Sequence, residues 1–235
     1  MAEYKQCISI RGAMEFTTEQ NSLFEKHLEL VIEANKITNL TRIVSPESGR
    51  LLHIEDSLAA VPEVLLAPEG KAADIGTGGG FPGIPLSIAT GRPFDLIDSV
   101  GKKTAQLDLI IEQLGLSDRI STWHGRIEDL GKERKGQYSV VTARALAALP
   151  ILLELASPLL KMGGCLISYK SGTYQEELDR ALTIQNKVGM KFVSVREFTL
   201  SDNETSRSVL VFEKAAKPKI SLPRRVGLAQ KKPLA

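Results

Sequence analysis

A run of alternating glycines directly after a short apolar stretch constrains this chain more than any other feature. Residues 72–75 are predicted to form a buried strand, and Gly76, Gly78 and Gly80 follow it in the loop 74–83. Glycine tolerates positive φ and lets a backbone approach a bound ligand closely. A strand that runs into such a loop is typical of parallel α/β sheets, which bind ligands at the carboxyl ends of their strands.

The loop departs from the dinucleotide-binding fingerprint Gly-x-Gly-x-x-Gly. Phe81 stands at the position of the third glycine, where a bulky side chain prevents the close strand–helix contact that this glycine serves. Pro82 and Pro85 fall where the phosphate-binding helix would begin, and proline has no N–H group to donate to a pyrophosphate. No Gly-Lys-Ser/Thr sequence follows, which excludes a P-loop. The loop therefore favours a ligand without phosphates over NAD.

Downstream of the loop, strand patterns alternate with helix patterns. Strands are predicted at 72–75, 94–98, 120–123, 138–142 and 165–169. Helices are predicted between them at 85–89, at 103–114, from the fourth strand through residue 160, and at 175–188. Residues 192–198 and 207–213 are predicted to form an antiparallel hairpin that closes the sheet edge. The alternation predicts an α/β fold, a Rossmann-like parallel sheet with helices on both faces.

Two helical stretches precede the first strand. Residues 17–36 carry apolar side chains at helical spacing, with Thr17 or Thr18 as the N-cap, and residues 47–66 form a second stretch. The predicted division of the chain is an N-terminal helical extension, a sheet domain and a basic C-terminal tail, over residues 1–70, 71–214 and 215–235.

Acidic residues at the ends of strands indicate which ligand this chain binds. Asp98 ends the second strand, 22 residues after Gly76, where a carboxylate can accept hydrogen bonds from both ribose hydroxyls. Asp74, at the end of the first strand, lends negative charge near a cationic group, and Phe81 can form a wall of the site. S-adenosylmethionine combines a ribose, an adenine and a sulfonium cation without any phosphate, and it is the predicted cofactor.

The segment after the third strand is placed to meet the adenine. Ile127 is expected to cover the face of the base, and Glu128 or nearby backbone groups to bind its edge. Arg144 follows the fourth strand and faces the same cleft. A carboxylate at a strand end is also a common helix cap, so Asp98 with Ser99 retains that alternative.

The absence of several catalytic motifs reduces the number of candidate methyl acceptors. Residues 142–145 read Thr-Ala-Arg-Ala in place of the Asn/Asp-Pro-Pro-Tyr/Phe loop that suits an exocyclic amine. There is no Pro-Cys nucleophile, and no histidine or Lys–Asp–Lys–Glu set for deprotonating a hydroxyl. Guanine N7 needs none of these, because it has a free lone pair and loses no proton. Catalysis would then rest on orientation, with Arg144 or Lys170 as candidates for balancing charge or holding a phosphate or the guanine O6.

Charge and cysteine usage add limits. The formal net charge is +2, yet the stretch from Lys214 onwards holds seven basic residues and no acidic one, which suggests a polyanionic partner. A solvated, partly disordered tail is the alternative. Cys7 and Cys165 are far apart, which indicates a reducing cytoplasm, and Cys165 and Trp123 are expected to be packing residues. We expect a cytoplasmic monomer without a secretory signal, a membrane span or a metal.

Motifs along residues 17–235 resemble those of one known family. They are Asn39-Leu40-Thr41, His53-Ile54-Glu55-Asp56-Ser57, the glycine loop with its Phe-Pro-Gly-Ile-Pro continuation, Leu96-Ile97-Asp98-Ser99 with Gly101-Lys102-Lys103, Arg126-Ile127-Glu128, Ala143-Arg144-Ala145, Tyr169-Lys170 and Lys231-Lys232-Pro233-Leu234. The chain resembles the bacterial small-subunit ribosomal RNA guanine-N7 methyltransferases, also called glucose-inhibited division protein B. Gly79 stands where many relatives have proline, and residues 222–227 are slightly changed.

The resemblance implies a class I S-adenosylmethionine-dependent methyltransferase domain that acts on 16S ribosomal RNA, either free, in the small subunit or in an assembly intermediate. By position it implies cofactor contacts at Gly76, Phe81, Ile127, Glu128 and Arg144. The ribose argument adds Asp98. Also expected near the cofactor are Asp74, Gly78 and Gly80.

Further positions carry over without an assigned role or as RNA-binding candidates. Asn39 has no assigned role, and His53 with Asp56 is expected to hold the N-terminal helices onto the sheet. The basic tail and the cleft rim are predicted to contact RNA phosphates, so deleting residues 217–235 should weaken RNA binding and flatten its salt dependence. The candidates for RNA contact are Lys102, Lys103, Lys170, Arg207, Arg224, Arg225, Lys231 and Lys232.

Alternative functions stay open at the level of the sequence. A methyltransferase that acts on another RNA base, a small molecule or a protein would share the same cofactor site. A non-enzymatic RNA-binding module would bind no cofactor. An NAD-dependent oxidoreductase is opposed by Phe81, Pro82 and Pro85.

Overall fold

The computed structural model describes residues 15–43 and 45–235, so Cys7 lies outside the described residues. The strands, in chain order, are β1 (Ala72–Ile75), β2 (Phe94–Asp98), β3 (Ile120–His124), β4 (Tyr138–Arg144), β5 (Leu160–Ser171), β6 (Met190–Thr199) and β7 (Ser206–Lys214). They form one sheet of order β3-β2-β1-β4-β5-β7-β6. β7 pairs antiparallel with β5 and β6, and the other pairs are parallel. The predicted Rossmann-like sheet and C-terminal hairpin are confirmed.

Helices cover both faces of this sheet. In chain order they are α1 (Thr18–Asn35), α2 (Pro46–Gly49), a π-helical stretch (Arg50–Glu55), α3 (Asp56–Leu58), α4 (Val61–Leu66), α5 (Gly83–Thr90), α6 (Gly101–Leu114), α7 (Ile127–Glu133), α8 (Leu149–Ala156), α9 (Gln175–Ile184) and α10 (Leu228–Lys231). Among the described residues, no helix combines the length and the apolarity that crossing a membrane requires.

The centre of the sheet explains where a ligand can bind. β1 is buried at all four residues and pairs in parallel with β2 on one side and β4 on the other. Strand order therefore reverses at β1, and the crevice outside such a reversal is where open α/β sheets bind ligands. The glycine loop leaves β1 at this crevice.

Two predicted boundaries around β5 are wrong. The helix predicted to run through residue 160 ends as α8 at Ala156, and β5 already begins at Leu160. The predicted Gly163-Gly164 turn lies inside β5, where the pairing with β4 shifts register. Gly163 has a φ of 77°, so the extra residues loop out and the strand then resumes.

The helical predictions hold in type but differ in extent. Thr17 caps α1 through a complete capping box with Gln20, as the sequence suggested. The stretch predicted as one helix over 47–66 is broken before α4. Pro62 lies in the first turn of α4 and has no N–H group to continue the preceding ladder, so the helix starts anew. α9 ends at Ile184, four residues earlier than predicted.

The N-terminal helices share a core with the sheet. Phe24, Leu28 and Val31 of α1 are buried in one cluster with Ala72 of β1 and Phe94 of β2. A second cluster fills the opposite face of the sheet. The division of the chain at residue 70 stays a prediction, and the helices before it lie on the sheet rather than apart from it.

The C-terminal segment packs against the opposite face. Leu222 is buried in the second cluster, and Leu234 packs against its surface. The alternative of a solvated, disordered tail is therefore wrong. Lys214 begins the basic stretch, but it is buried, and its ammonium donates to the Ser157 hydroxyl.

Arg92 ties the N-terminal helices to the sheet. One guanidinium nitrogen donates to the carbonyl oxygens of Pro68 and Gly70 and to the Ser139 hydroxyl, at 2.7, 3.1 and 2.9 Å. The other donates to carbonyl oxygens at the end of α4, at 3.0 and 3.2 Å. Helix C-termini leave such carbonyls without intrahelical partners, and the fork of a guanidinium can satisfy several of them at once.

We expect Arg92→Lys to lower the free energy of unfolding by about 1–3 kcal/mol, because a single ammonium leaves several of these carbonyls without a donor. Urea unfolding measures the change. Arg50→Lys is the matched control, since Arg50 pairs with Glu25 on an exposed surface, and it should change stability much less than Arg92→Lys does. Equal effects of the two substitutions would contradict this role for Arg92.

Candidate functional site

The glycine loop adopts a path that other residues would not follow. Gly76 and Gly80 have φ angles of 72° and 86°. A Cβ atom on Gly76 would lie 2.7 Å from the Leu146 side chain, and one on Gly80 would lie 2.6 Å from Ile84. Both positions therefore favour glycine for their conformation, and a Cβ atom at either one would also displace the end of a neighbouring side chain.

Asp74 holds this loop from below. Its carboxylate accepts hydrogen bonds from the Thr77 hydroxyl at 2.6 Å, the Gly83 N–H at 3.0 Å and the Thr142 hydroxyl at 2.8 Å. Complete burial raises the pKa of Asp74 to about 6. Asp74 and Gly80 do not line the two cavities described below, and their expected position near the cofactor stays a prediction.

A cavity of about 220 Å³ opens at the carboxyl ends of β1, β2 and β3. Five predicted cofactor residues line it: Gly76, Gly78, Asp98, Ile127 and Glu128. We call it the first cavity. Its walls combine carboxylates, which can accept hydrogen bonds from ribose hydroxyls, with apolar side chains, which can cover the face of a base.

Asp98 holds the backbone around the first cavity and also faces it, while its contact with a ribose stays a prediction. Its carboxylate accepts the Gly78 N–H at 3.2 Å and the Val100 N–H at 2.9 Å, so it fixes the loop and the turn before α6. It also lines the first cavity with 8% of its surface exposed. A carboxylate held by two backbone donors is preorganised to accept further hydrogen bonds from a ribose.

Trp123 lies directly behind the first cavity. Gly125 lines the cavity, and a Cβ atom on Gly125 would lie 2.5 Å from the Trp123 ring. The indole also packs against the second hydrophobic cluster, so its prediction as a packing residue is confirmed.

A larger second cavity, of about 830 Å³, adjoins the first. Both are lined by Gly76, Gly78 and Lys103, so the glycine loop separates them only in part. The walls of the second cavity come from the N-terminal helices, the loop and the ends of β4 and β5. Predicted residues that line it are Asn39, His53, Asp56, Phe81, Arg144, Lys170 and Arg207.

Asp56 joins two arginines across the second cavity. Its carboxylate accepts hydrogen bonds from Arg144 at 2.9 Å and from Arg207 at 3.0 Å, and it is 3% exposed. Arg144 also donates to the Leu52 carbonyl at 3.1 Å. These contacts connect α3 and the π-helical stretch to the ends of β4 and β7, as expected for a residue that holds the helices onto the sheet.

Phe81 lies between two imidazole rings. The His53 ring stacks on it at 4.3 Å with an interplanar angle of 7°, and the His27 ring lies at 4.4 Å and 31°. The Arg144 guanidinium lies 5.8 Å from the Phe81 ring centre. The bulky residue that argued against a dinucleotide is thus the centre of a packed stack at the cavity wall.

Both histidines are held neutral. Burial lowers the pKa of His27 to about 3, and burial together with the nearby Arg144 lowers the pKa of His53 to about 4. His27 Nε2 lies 3.0 Å from the Gly79 carbonyl oxygen and donates to it, while Nδ1 is buried without a partner among the described residues. His53 Nδ1 lies 3.3 Å from an Arg144 nitrogen and must accept, so His53 Nε2 donates to the Thr41 hydroxyl at 2.8 Å.

Two side chains that line the second cavity were not predicted from the sequence as functional residues. The Tyr169 hydroxyl donates to the Ser57 carbonyl at 2.7 Å. Glu177 pairs with Lys170 at 2.7 Å and accepts the Leu149 N–H at 2.8 Å. Tyr169 entered only as part of a motif, and Glu177 lies on a helix whose local pattern carries no sign of its partner.

The basic RNA-binding candidates divide into exposed and engaged groups. Lys102, Arg225, Lys231 and Lys232 are exposed. Arg224 is engaged instead: its guanidinium forms a two-point ion pair with the buried carboxylate of Glu154 at 2.7 and 2.5 Å. A contact of Arg224 with RNA phosphates would compete with this ion pair, and it stays a prediction. The remaining candidates, which line the second cavity, are Lys103, Lys170 and Arg207.

Across residues 15–43 and 45–235, no three His, Cys, Asp or Glu side chains come together as a metal site would require. The expectation of a metal-free site stays a prediction.

Comparison with known sequences identifies close relatives. A family model described as rRNA small subunit methyltransferase G matches residues 20–206. A protein named ribosomal RNA small subunit methyltransferase G from Streptococcus sanguinis is 36% identical, over 99% of this chain and 98% of its own length. A protein of the same name from Lactobacillus johnsonii is 35% identical, over 94% of each chain.

Comparison with solved structures supports the fold. An O-methyltransferase from Bacillus cereus in complex with SAH superposes with a TM-score of 0.55 at 18% identity, covering 80% of this chain and 90% of that one. A putative sarcosine dimethylglycine methyltransferase from Galdieria sulphuraria gives a TM-score of 0.53 at 14% identity, covering 69% and 86%. At these identities the likeness concerns the fold alone.

We expect His27 to make stability fall in acid. Because the folded-state pKa of His27 is lowered to about 3, the unfolded chain binds more protons between pH 6.5 and pH 3, and folding weakens as pH falls through that window. His53 acts in the same direction, and Asp74, whose pKa is raised to about 6, acts in the opposite one between pH 6 and pH 3.8.

His27→Gln isolates the contribution of His27, since its amide can still donate to the Gly79 carbonyl. Between pH 7 and pH 5 the variant should lose roughly 1–2 kcal/mol less unfolding free energy than the unaltered chain, as measured by urea unfolding. His124→Gln, at an exposed position outside the stack, is the control. Identical pH dependence of the His27 variant and the unaltered chain would refute the assignment.

Proposed function

The chain belongs to the rRNA small subunit methyltransferase G family, and on that basis we propose that it transfers a methyl group from S-adenosylmethionine to N7 of a guanine in 16S ribosomal RNA. Membership decides against the oxidoreductase and the non-enzymatic alternatives. We further propose a cytoplasmic location and a monomeric enzyme. Its substrate is free 16S RNA, the small subunit or an assembly intermediate.

The N7 assignment rests on one observation: the groups around the second cavity that could accept a proton are either engaged in ion pairs or weakly basic. Asp56 is bound by two arginines, and Glu177 is bound by Lys170. The lowered pKa of His53 makes it a weak base, and its Nδ1 lone pair faces Arg144. Among the described residues that line this cavity, no carboxylate or imidazole is thus free to remove a proton. An acceptor that reacts through a lone pair without losing a proton fits such a site, and guanine N7 is one.

The adjoining cavities suggest how the two substrates are held. We propose that Asp98 accepts the ribose hydroxyls, and that Ile127 and Glu128 meet the adenine in the first cavity, where all three are lining residues. Gly76 lines both cavities, and Phe81 and Arg144 line the second, so we assign them contacts near the junction. The guanine then occupies the second cavity.

Catalysis in this arrangement is mostly orientation. When bound, S-adenosylmethionine would supply an electrophilic methyl group. The N7 lone pair would form the new N–C bond as the S–C bond breaks, S-adenosylhomocysteine would leave, and no proton would be transferred. Holding two reactants in alignment can lower a barrier by about 7–11 kcal/mol. The stacked Phe81 and the Arg144–Asp56 pair are rigid elements of the wall that can supply this alignment. Arg144 and Lys170 remain the candidates for holding a phosphate or the guanine O6.

We expect the protein to methylate purified 16S ribosomal RNA, and strand cleavage specific for N7-methylguanine to occur at a single guanine. Asp98→Ala should lower the rate at limiting cofactor by about tenfold or more, because a charged hydrogen-bond acceptor is lost. Asp118→Ala removes an exposed carboxylate far from both cavities and serves as the control. Methyl incorporation without N7 cleavage would refute the N7 assignment and favour another base.

We expect the exposed basic residues of the C-terminal segment to contribute to RNA affinity. Neutralising Arg225, Lys231 and Lys232 with glutamine should reduce the slope of log affinity against log salt concentration by about 2–3, since each lost phosphate contact removes about 0.7–0.9. The matched control neutralises three exposed lysines outside this segment, Lys135, Lys187 and Lys191. If both triple variants keep the slope of the unaltered chain, the segment does not contact phosphates.

Point substitutions replace the deletion of residues 217–235 as the test. The segment packs onto the body, so deleting it would also remove Leu222 from the second hydrophobic cluster. Weaker RNA binding by a truncated chain would then mix lost charge with lost folding.

A further inference from the structure

The C-terminal segment contributes to the first cavity. Ala229 and Gln230, in the short helix α10, line it together with the glycine loop and the end of β2. Both residues lie beyond the part of the chain that matches the family model, which ends at residue 206. One side of the cavity is thus built by a segment that the sequence suggested only as an RNA-binding tail.

A direct hydrogen bond connects this segment to the adenine side of the cavity. The Gly227 N–H donates to a Glu128 carboxylate oxygen at 2.7 Å. Glu128 is 5% exposed. One of its two carboxylate oxygens is engaged by the segment through this hydrogen bond. The predicted adenine contact and the C-terminal segment therefore form one wall.

The segment is held in place at several points. The Arg224 guanidinium pairs with Glu154 of α8, which is 3% exposed, and it also donates to the Lys232 carbonyl at 2.9 Å. Ala229 is 2% exposed. Arg224 precedes α10 and Lys232 follows it, so the contacts of Arg224 fix the segment on both sides of this helix. Loss of Arg224 would leave the buried Glu154 carboxylate without its partner.

Gln230 has the chemistry to recognise an adenine. A primary amide carries one donor and one acceptor side by side, and this pair complements the amino group and an adjacent ring nitrogen of adenine. Gln230 is exposed to solvent and lines the cavity, so its amide is available to a ligand there. A carboxylate such as Glu128 could accept from the amino group but could not donate to the ring nitrogen.

We propose that the C-terminal segment is part of the cofactor site, with Gln230 hydrogen-bonding the adenine edge of S-adenosylmethionine and the Arg224–Glu154 pair positioning Gln230. The proposal rests on the proposed function, because it takes the first cavity as the cofactor site. It assigns Arg224 to the cofactor and its neighbour Arg225 to the RNA.

Calorimetric titration with S-adenosylhomocysteine tests the proposal on the full-length protein. Gln230→Ala should weaken binding roughly 3- to 10-fold, the effect of one net hydrogen bond. The unaltered chain should bind the analogue that lacks the 6-amino group more weakly, and Gln230→Ala should show a clearly smaller difference between the two ligands, with Glu128 left as the acceptor for the amino group. A purely structural role for Gln230 would not reduce this discrimination.

Alanine substitutions at Arg224 and at its neighbour Arg225 test whether Arg224 positions Gln230. Arg224→Ala should weaken S-adenosylhomocysteine binding and raise the KM for the cofactor, and Arg224→Lys should restore part of the loss. Arg225→Ala, at an exposed position, should keep the cofactor affinity. Equal cofactor affinity of the Arg224→Ala and Arg225→Ala variants would overturn the positioning role.

The outcomes separate this proposal from the proposed function. If Gln230→Ala keeps full affinity and discrimination while Asp98→Ala loses affinity, the cofactor site stands and the role of Gln230 is overturned. If the unaltered chain does not bind S-adenosylhomocysteine, both are overturned. Should Arg224→Ala fail to fold, the exposed Gln230 still decides the adenine contact.

Discussion

Both cavities depend on the hydrogen bonds that the buried carboxylate of Asp74 accepts. It accepts three hydrogen bonds that tie the glycine loop to the start of α5 and to β4. Burial alone would favour the neutral acid, and these donors offset part of that cost. Because Gly76 and Gly78 carry the loop into the walls of both cavities, any movement of this anchor would displace the cofactor wall and the acceptor wall together.

The N-terminal helices complete the second cavity and set its charge. They supply Asp56, which neutralises part of the charge of Arg144 and Arg207, and His53, which stacks on Phe81. Cationic side chains still outnumber acidic ones around this cavity. The site thus attracts a polyanion while its acids remain occupied, which is consistent with an RNA substrate whose reacting atom needs no deprotonation.

The sequence predicted what local patterns encode. The strands, the glycine loop and the positions of Asp98 and Glu128 follow from apolar runs and from residues at strand ends, and they were found where expected apart from the start of β5. The five hydrogen bonds of Arg92 and the ion pair of Arg224 with Glu154 were missed, because each joins residues far apart in the chain and neither leaves a periodic trace. For the same reason a basic tail suggested only RNA, although the fold also uses it as a cavity wall.

The position of Trp123 gives the molecule an internal optical reporter. It is the single tryptophan of the chain, and its indole packs against Gly125 at the back of the first cavity. A purine that enters this cavity displaces water close to the indole and changes the polarity of its surroundings. Intrinsic fluorescence can therefore follow occupancy of the nucleoside side in real time, without a label and without contribution from a second tryptophan.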